Sequence, residues 1–134
     1  MMNPEITVCV TTAPISSLPL PSRSDCGAVL DFFGVVRGEE KGEQIAGLEY
    51  EAYQPMAERQ IEQIIRALLD QFPCRAVDVV HRIGFIAVGE SSIVVRVASP
   101  HRQEAIAFLA EFMNRLKEDV PIWKKPSPSN ARQS

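Results

Sequence analysis

The sequence predicts an α+β domain in which two main helices pack on one mostly antiparallel sheet. Short segments of alternating apolar and polar residues, rich in Val and Ile, recur along the chain and indicate strands. Two longer segments carry apolar residues at helical spacing. Hydrophobic residues make up 46% of the 134 residues, which is an ordinary share for one globular core.

The composition argues against several broad classes of protein. The net charge of −3 does not indicate a general nucleic-acid or membrane surface, so any positive site must be local. No apolar run approaches the roughly 20 residues of a membrane span, and the N-terminus lacks a signal-peptide pattern. Cys9, Cys26 and Cys74 show neither metal-ligand spacing nor a disulfide framework. We therefore expect a cytoplasmic protein that binds neither nucleic acid nor membranes.

The first third of the chain predicts two strands joined by a proline-rich connector. Residues 6–11 alternate and indicate a strand, whereas residues 13–25 contain prolines that prevent a long helix. Residues 26–37 form a second, largely apolar strand, in which Gly34 indicates a bulge or a close backbone approach. Arg37 closes this strand before a polar, glycine-containing loop, and it is either a solvated strand end or an anion ligand.

The middle of the chain predicts a strand, a helix and a hairpin. Residues 45–53 alternate as a strand, and Pro55 suits the opening of a helix over residues 56–71. Residues 76–83 and 92–98 are β-branched runs, and glycines in the segment between them favour a hairpin.

His81 lies among apolar residues of the first strand of this hairpin, and we interpret it as a structural histidine. The chain has two histidines and no carboxylate at ligand spacing, so a zinc site is not expected. No glycine-rich phosphate loop follows a strand, which argues against nucleotide-binding motifs. We therefore expect no metal and no cofactor.

A second amphipathic helix is predicted after Ser99, a candidate N-cap, and it carries basic residues at both ends. His101 and Arg102 lie in its first turn, Lys117 ends its apolar face, and Lys124 follows shortly after. His101 and Lys117 are 16 residues apart, which is about 24 Å along a straight helix. The two ends therefore serve separate sites or meet across a symmetric pair of chains. A core helix with solvated basic ends is the simpler alternative.

The candidate site residues share a positive charge or can acquire one. They are Arg37, His101, Arg102, Lys117 and Lys124. Such a set would bind an anionic substrate and stabilise developing negative charge. No serine or cysteine has an evident base beside it, so a nucleophilic triad is not indicated. A lysine amine can transfer protons or act as a nucleophile, and Lys117 fits best because it follows Met113 and Leu116 on the apolar face.

Five segments of the chain carry a family resemblance. They are GAVLDFFGVVRG (27–38), LEYEAYQPMAE (48–58), VVHRIG (79–84), SPHR (99–102) and LKEDVPIWKK (116–125). In this order they resemble the large, catalytic subunits of molybdopterin synthases. The resemblance covers roughly residues 5–125 and implies an α/β-hammerhead-like fold. We therefore expect one domain over residues 1–125 and a disordered tail over residues 126–134.

The resemblance also implies an activity and its partners. Members of the family build the dithiolene of molybdopterin from cyclic pyranopterin monophosphate, a precursor of the molybdenum cofactor. The sulfur comes from the C-terminal thiocarboxylate of a small ubiquitin-like subunit that ends in Gly-Gly. The large subunit forms a homodimer with one small subunit at each end, which makes a heterotetramer.

Site roles follow from the matching positions. The resemblance implies that Lys117 and Lys124 are catalytic, and that Arg37, His101 and Arg102 bind the substrate. Phe33 and Met113 match apolar wall residues of the substrate pocket, with ordinary core packing as the alternative for both.

The C-terminal segment departs from the family pattern. An acidic residue usually follows the Trp-Lys pair, whereas here Lys125 leads into Pro126. The basic, Trp-containing continuation of the family is replaced by PSPSNARQS. The alternative function is therefore a non-catalytic paralogue that binds a ubiquitin-like tail or an anionic metabolite.

Overall fold

The computed structural model describes residues 3–16, 19–21 and 23–128 of the chain. This part contains eight strands and two helices. In chain order they are β1 (Glu5–Thr11), β2 (Ala28–Val35), β3 (Glu39–Glu40), β4 (Glu43–Ala52), α1 (Gln54–Gln71), β5 (Ala76–Arg82), β6 (Gly84–Ala87), β7 (Ser91–Ser99), α2 (Arg102–Asp119) and β8 (Ile122–Pro128).

The strands form two sheets. The first has the order β1-β5-β7-β2, in which β1 and β5 are parallel and the other neighbours antiparallel. In the second, β4 pairs antiparallel with β3, β6 and β8. Every residue of β7 from Ser92 to Ser99 is buried, because β5 and β2 flank this strand and α2 packs near it. This strand is therefore the centre of the fold.

Both helices cover one face of the first sheet with their apolar sides. Ile61, Ile65 and Leu68 of α1 are fully buried, and so are Phe108 and Phe112 of α2. The two phenylalanine rings stack with centroids 6.1 Å apart. They pack in one cluster with inward-facing valines of β5 and β7. Burial of each such side chain contributes about 1.5–3 kcal/mol.

The predicted fold class is confirmed, but the expectation of a single sheet is wrong. Strand β6 occupies the segment predicted as a hairpin connection, and β3 lies in the predicted polar loop. A second, smaller core explains this arrangement, because Val36, Ile45, Leu48 and Ile86 bury one another away from the helices. Strands of two and four residues are too short to show an alternating pattern.

The start of α2 also differs from the prediction. Ser99 does not cap the helix, because it ends β7 in a fully buried position and donates its hydroxyl to the carbonyl of His101. His101 holds the N-cap position without a side-chain cap bond.

The segment predicted as a disordered tail begins inside a strand. Residues 126–128 belong to β8, where Pro126 lies opposite Leu48 and Pro128 opposite Ile45. Pairing with β4 orders these residues in spite of their composition. Residues 129–134 of the predicted tail lie outside the described residues. No helix within the described ranges is long and apolar enough to span a membrane.

Arg96 fixes the proline-rich connector against the face of the first sheet that the helices leave open. The residue is 5% exposed, and its guanidinium makes two hydrogen bonds of 2.7 Å to the carboxylate of Asp31 on β2. A further N–H donates to the backbone carbonyl of Pro19. These bonds hold the pKa of Asp31 below its ordinary value.

We expect Asp31→Asn to lower the free energy of unfolding at pH 7 by about 2 kcal/mol, because charge-assisted bonds to Arg96 are lost. The lowered pKa of Asp31 means that its contribution is complete above about pH 4 and disappears as the pH falls through the folded-state pKa. Urea unfolding of the wild-type and variant chains between pH 7 and pH 3 measures this difference. Asp70→Asn, on an exposed position of α1, is the control. An equal loss at pH 3 and pH 7 would contradict the assignment.

Candidate functional site

A cavity of about 360 Å³ opens where the C-terminal end of α2 meets both sheets. The first sheet supplies its floor through β2, β5 and β7. One wall is the last two turns of α2 and the residue after them, with Met113, Leu116 and Val120 in the lining. The opposite wall comes from the second sheet through β4 and β8.

The floor of the cavity is a row of residues that pair across the first sheet. Gly34 pairs with Ile93, and Ile93 pairs with His81. A Cβ atom at Gly34 would lie 2.7 Å from Cγ2 of Ile93, so no larger residue fits without displacing the floor. The register of β2 also shifts directly after Gly34. The register shift agrees with the bulge that the sequence predicts at Gly34, whereas the atoms that come close to this glycine belong to side chains and not to another backbone segment.

Two lysines from different elements border this cavity. Lys117 lies in the last turn of α2, where the helix dipole favours a cation. Lys124 lies on β8 directly opposite Tyr50 of β4, and both residues line the cavity. Lys125 is the next residue of the strand and does not line the cavity, because successive side chains point to opposite faces.

His81 is the titratable residue most deeply enclosed in this cavity. It is 5% exposed, and its ring meets the ring of Tyr50 edge-on with centroids 5.4 Å apart. Its Nδ1 lies 2.8 Å from the carbonyl oxygen of Arg82. A carbonyl oxygen only accepts, so Nδ1 carries the proton and Nε2 carries the lone pair. Burial lowers the pKa of His81, which keeps the ring neutral near pH 7.

Three of the predicted site residues come together in the cavity. These are Lys117, Lys124 and Met113. Phe33 is 49% exposed on the opposite face of β2, and its neighbour Phe32 lines the cavity instead. The alternation of the strand before the bulge explains this difference of one residue.

The other predicted site residues lie elsewhere in the single chain. Arg37 is 80% exposed beside the β3–β4 turn, with its guanidinium 3.4 Å from the carboxylate of Glu40. His101 and Arg102 are exposed at the opposite end of α2 from Lys117. His101 lines a separate cavity of about 250 Å³ together with Cys74 and Glu104. Burial raises the pKa of the Cys74 thiol to about 12, so this cysteine is not a thiolate nucleophile.

Sequence reasoning missed Tyr50, His81 and Ser92 as parts of the cavity. His81 follows Val77 and Val79 at two-residue spacing, which was a signal that it faces the helices. The contact with Tyr50 depends on the second sheet and had no local signal. Among the described residues, no group of three or more His, Cys, Asp or Glu side chains could hold a metal ion.

We expect the His81 ring to titrate below the ordinary histidine pKa and to carry its proton on Nδ1 when neutral. Because the folded-state pKa is depressed, the contribution of His81 to the free energy of unfolding is complete above about pH 6.5. This contribution is lost as the pH falls further. Nitrogen-15 NMR of the labelled histidines measures both the tautomer and the pKa. A His101→Gln variant leaves a single histidine signal and so assigns it. A neutral ring protonated on Nε2 would contradict the geometry.

Comparisons with known proteins connect this geometry to a family. A family model described as "MoaE protein" matches residues 10–119. The molybdopterin synthase catalytic subunit of Staphylococcus carnosus is 46% identical over 99 residues, 74% of this chain and 66% of that protein. The rat protein of the same description is 42% identical over 100 residues, 75% of this chain. The matched region spans 50% of the rat protein, so the chain corresponds to about half of that relative.

Solved structures agree with the sequence matches. Molybdopterin synthase from Staphylococcus aureus superposes with a TM-score of 0.80 at 34% identity, covering 98% of this chain and 95% of that one. A complex of subunits 1 and 2 of molybdopterin-converting factor from Helicobacter pylori shares the fold, with a TM-score of 0.66 at 21% identity and coverage of 95% and 91%. The chain therefore belongs to the MoaE protein family.

Proposed function

We propose that this chain is the catalytic subunit of a molybdopterin synthase. In this role it transfers sulfur from the C-terminal thiocarboxylate of a small ubiquitin-like subunit to cyclic pyranopterin monophosphate. The observation that carries the proposal is the meeting of Lys117 and Lys124 at one cavity, from a helix and from a strand of the second sheet. The descriptions of the relatives support it.

The two lysines suit the chemistry of an anionic sulfur donor and an anionic substrate. Lys117 would assist attack and proton transfer around the thiocarboxylate, and Lys124 would stabilise developing negative charge. Met113 would form part of the apolar wall of the substrate pocket. The sulfur arrives with the partner, so the reaction needs no cysteine nucleophile. This agrees with a cavity lining that contains no cysteine among the described residues.

The remaining predicted residues require a second chain in this proposal. His101 and Arg102 are about 24 Å from Lys117 along α2, so they would complete the pocket of the other protomer in a homodimer. Phe33 is exposed on the far face of β2 and would reach a pocket wall from a neighbouring chain. Arg37 would bind the substrate phosphate from the exposed loop after β2.

The small subunit is the second proposed partner. Its Gly-Gly tail has no side chains and can therefore enter a narrow cavity in an extended conformation. The complex of two subunits in the Helicobacter pylori relative favours such a partner for this chain as well. One small subunit at each end of a homodimer would give a heterotetramer.

We expect Lys117→Ala and Lys124→Ala each to reduce molybdopterin formation by at least about 100-fold, because each removes a group acting at the reacting atoms. The assay mixes the purified chain with precursor and thiocarboxylated partner under anaerobic conditions. Lys125→Ala is the matched control, because it removes the same charge from the next residue of β8 without touching the cavity. It should retain activity within about twofold.

Two outcomes would contradict the proposal. Normal turnover by Lys117→Ala would contradict the catalytic role of Lys117. No turnover by the wild-type chain, together with tight binding of the partner, would instead identify a non-catalytic paralogue.

The shared site of the homodimer has its own test, a mixture of two inactive variants. We expect Lys117→Ala and His101→Ala chains, mixed and refolded together, to regain about a quarter of wild-type activity. Random pairing makes half of the dimers heterodimers of the two variants. Each heterodimer has one site in which both residues are intact, so a quarter of all sites are active. Turnover per chain is measured before and after mixing. Activity that stays at the level of the separate variants would show that both residues act within one chain.

A further inference from the structure

His81 is buried in the cavity that Lys117 and Lys124 border, yet the proposed reaction assigns it no role. The cationic groups there are hydrogen-bond donors without an acceptor, because an ammonium offers only N–H groups. The hydroxyl of Ser92 donates to the carbonyl of Gly34 at 3.2 Å, so at this cavity it can act only as an acceptor. A ligand with its own N–H groups therefore requires acceptors that the lysines do not supply, and the floor of the cavity offers them through Ser92 and His81.

The structure fixes which nitrogen of His81 is that acceptor. The bond from Nδ1–H to the carbonyl of Arg82 holds the ring in one tautomer and one orientation. Edge-on packing against Tyr50 restrains the ring further. Within the described part of the chain, Nε2 makes no hydrogen bond, and it is not one of the fully buried polar atoms that lack a partner, which leaves it reachable from the cavity. An acceptor that is reachable from the cavity and has no protein partner can take an N–H from a ligand.

Burial keeps the ring in the accepting form, because it lowers the pKa of His81. Two charged groups border the same cavity, Lys117 from α2 and Lys124 from β8. Tyr50 of β4 contributes its ring, and Glu58 of α1 accepts a bond from the backbone N–H of Val10, which pairs with His81 in the register. A neutral ring that carries its proton on Nδ1 accepts at Nε2.

We propose that Nε2 of His81 is a ligand-binding acceptor that takes an N–H of the molecule held between Lys117 and Lys124. It distinguishes ligands with a correctly placed N–H from anions that the lysines alone would attract. The inference rests on the proposed function for the identity of the ligand. Both reactants carry N–H groups, the pyranopterin in its ring system and the partner in the backbone of its Gly-Gly tail.

Three substitutions separate the acceptor from the structural role of the ring. In His81→Asn the side-chain amide can still donate to the carbonyl of Arg82, but the group at the position of Nε2 is gone. In His81→Gln the amide oxygen can occupy that position and accept. His81→Phe keeps the ring without either nitrogen. Asp78→Asn is the control, because it lies on the same strand at a position facing away from the helices.

Calorimetry should measure binding of cyclic pyranopterin monophosphate and of the small subunit in its carboxylate form, each to every variant. We expect His81→Asn and His81→Phe to weaken the binding of one of the two ligands by roughly three- to tenfold. His81→Gln should recover most of the lost affinity. Asp78→Asn should bind both ligands as the wild type does. Weakening confined to the precursor identifies a pterin N–H, and weakening confined to the small subunit identifies a tail N–H.

Other outcomes overturn the proposal. Unchanged affinity of His81→Asn and His81→Phe for both ligands, with thermal unfolding showing folded proteins, would leave His81 a structural residue. Failure of His81→Gln to recover affinity where His81→Asn loses it would do the same. A wild-type chain that binds neither ligand overturns this inference and the proposed function together. A wild-type chain that binds both without turnover removes only the proposed function, and the variants still decide the role of His81.

Discussion

The pairing of β7 with β5 on one side and β2 on the other is the constraint on which the rest of the structure depends. A shift of one residue in either pairing would exchange the two faces of the strand. Val95 and Val97 would then leave the helices, and Arg96 would enter the apolar core without Asp31. The same register sets Ile93 between Gly34 and His81. Stability and cavity shape are therefore determined by one set of backbone hydrogen bonds.

The cavity combines groups that electrostatics would otherwise keep apart. The C-terminal end of a helix carries a partial negative charge, and this offsets part of the repulsion that Lys117 experiences from Lys124. The neutral imidazole of His81 adds polarity at the floor without adding charge. Apolar side chains such as Met113 and Ile122 line the cavity beside these groups. Such a lining strengthens each polar contact with a bound anion.

The sequence predicted the elements with long, regular patterns. The helices α1 and α2 have 18 residues each, and apolar residues recur along both at helical spacing. A segment of this length is long enough for its period to be recognised. Strand β6 has four residues and β3 has two, so their pattern carries no signal and the second sheet was missed. The contact between His81 and Tyr50 could not be predicted for the same reason, since it joins the two sheets.

Only part of the candidate site could be predicted from the sequence, because its residues come from distant segments of the chain. Lys117 and Lys124 were paired by the family resemblance and not by their spacing, because a helix end and a turn separate them. The resemblance gives Phe33 by its position in the motif, whereas Phe32 lines the cavity of its own chain, because the face of a strand on which a residue lies depends on its register. Residues at the far end of α2 require a second chain, and a single sequence contains no information on distances between chains.

The prolines of β8 have a consequence for how the molecule behaves at high concentration. This strand holds Lys124 in place through β4, and it pairs with no other described strand. An open strand edge invites another chain to add to the sheet, which leads to aggregation. Pro126 and Pro128 have no N–H to offer to such a chain, and Lys124 and Lys125 resist the approach of a like-charged edge. The short strand that carries Lys124 therefore presents an edge of the second sheet that disfavours the addition of a further strand.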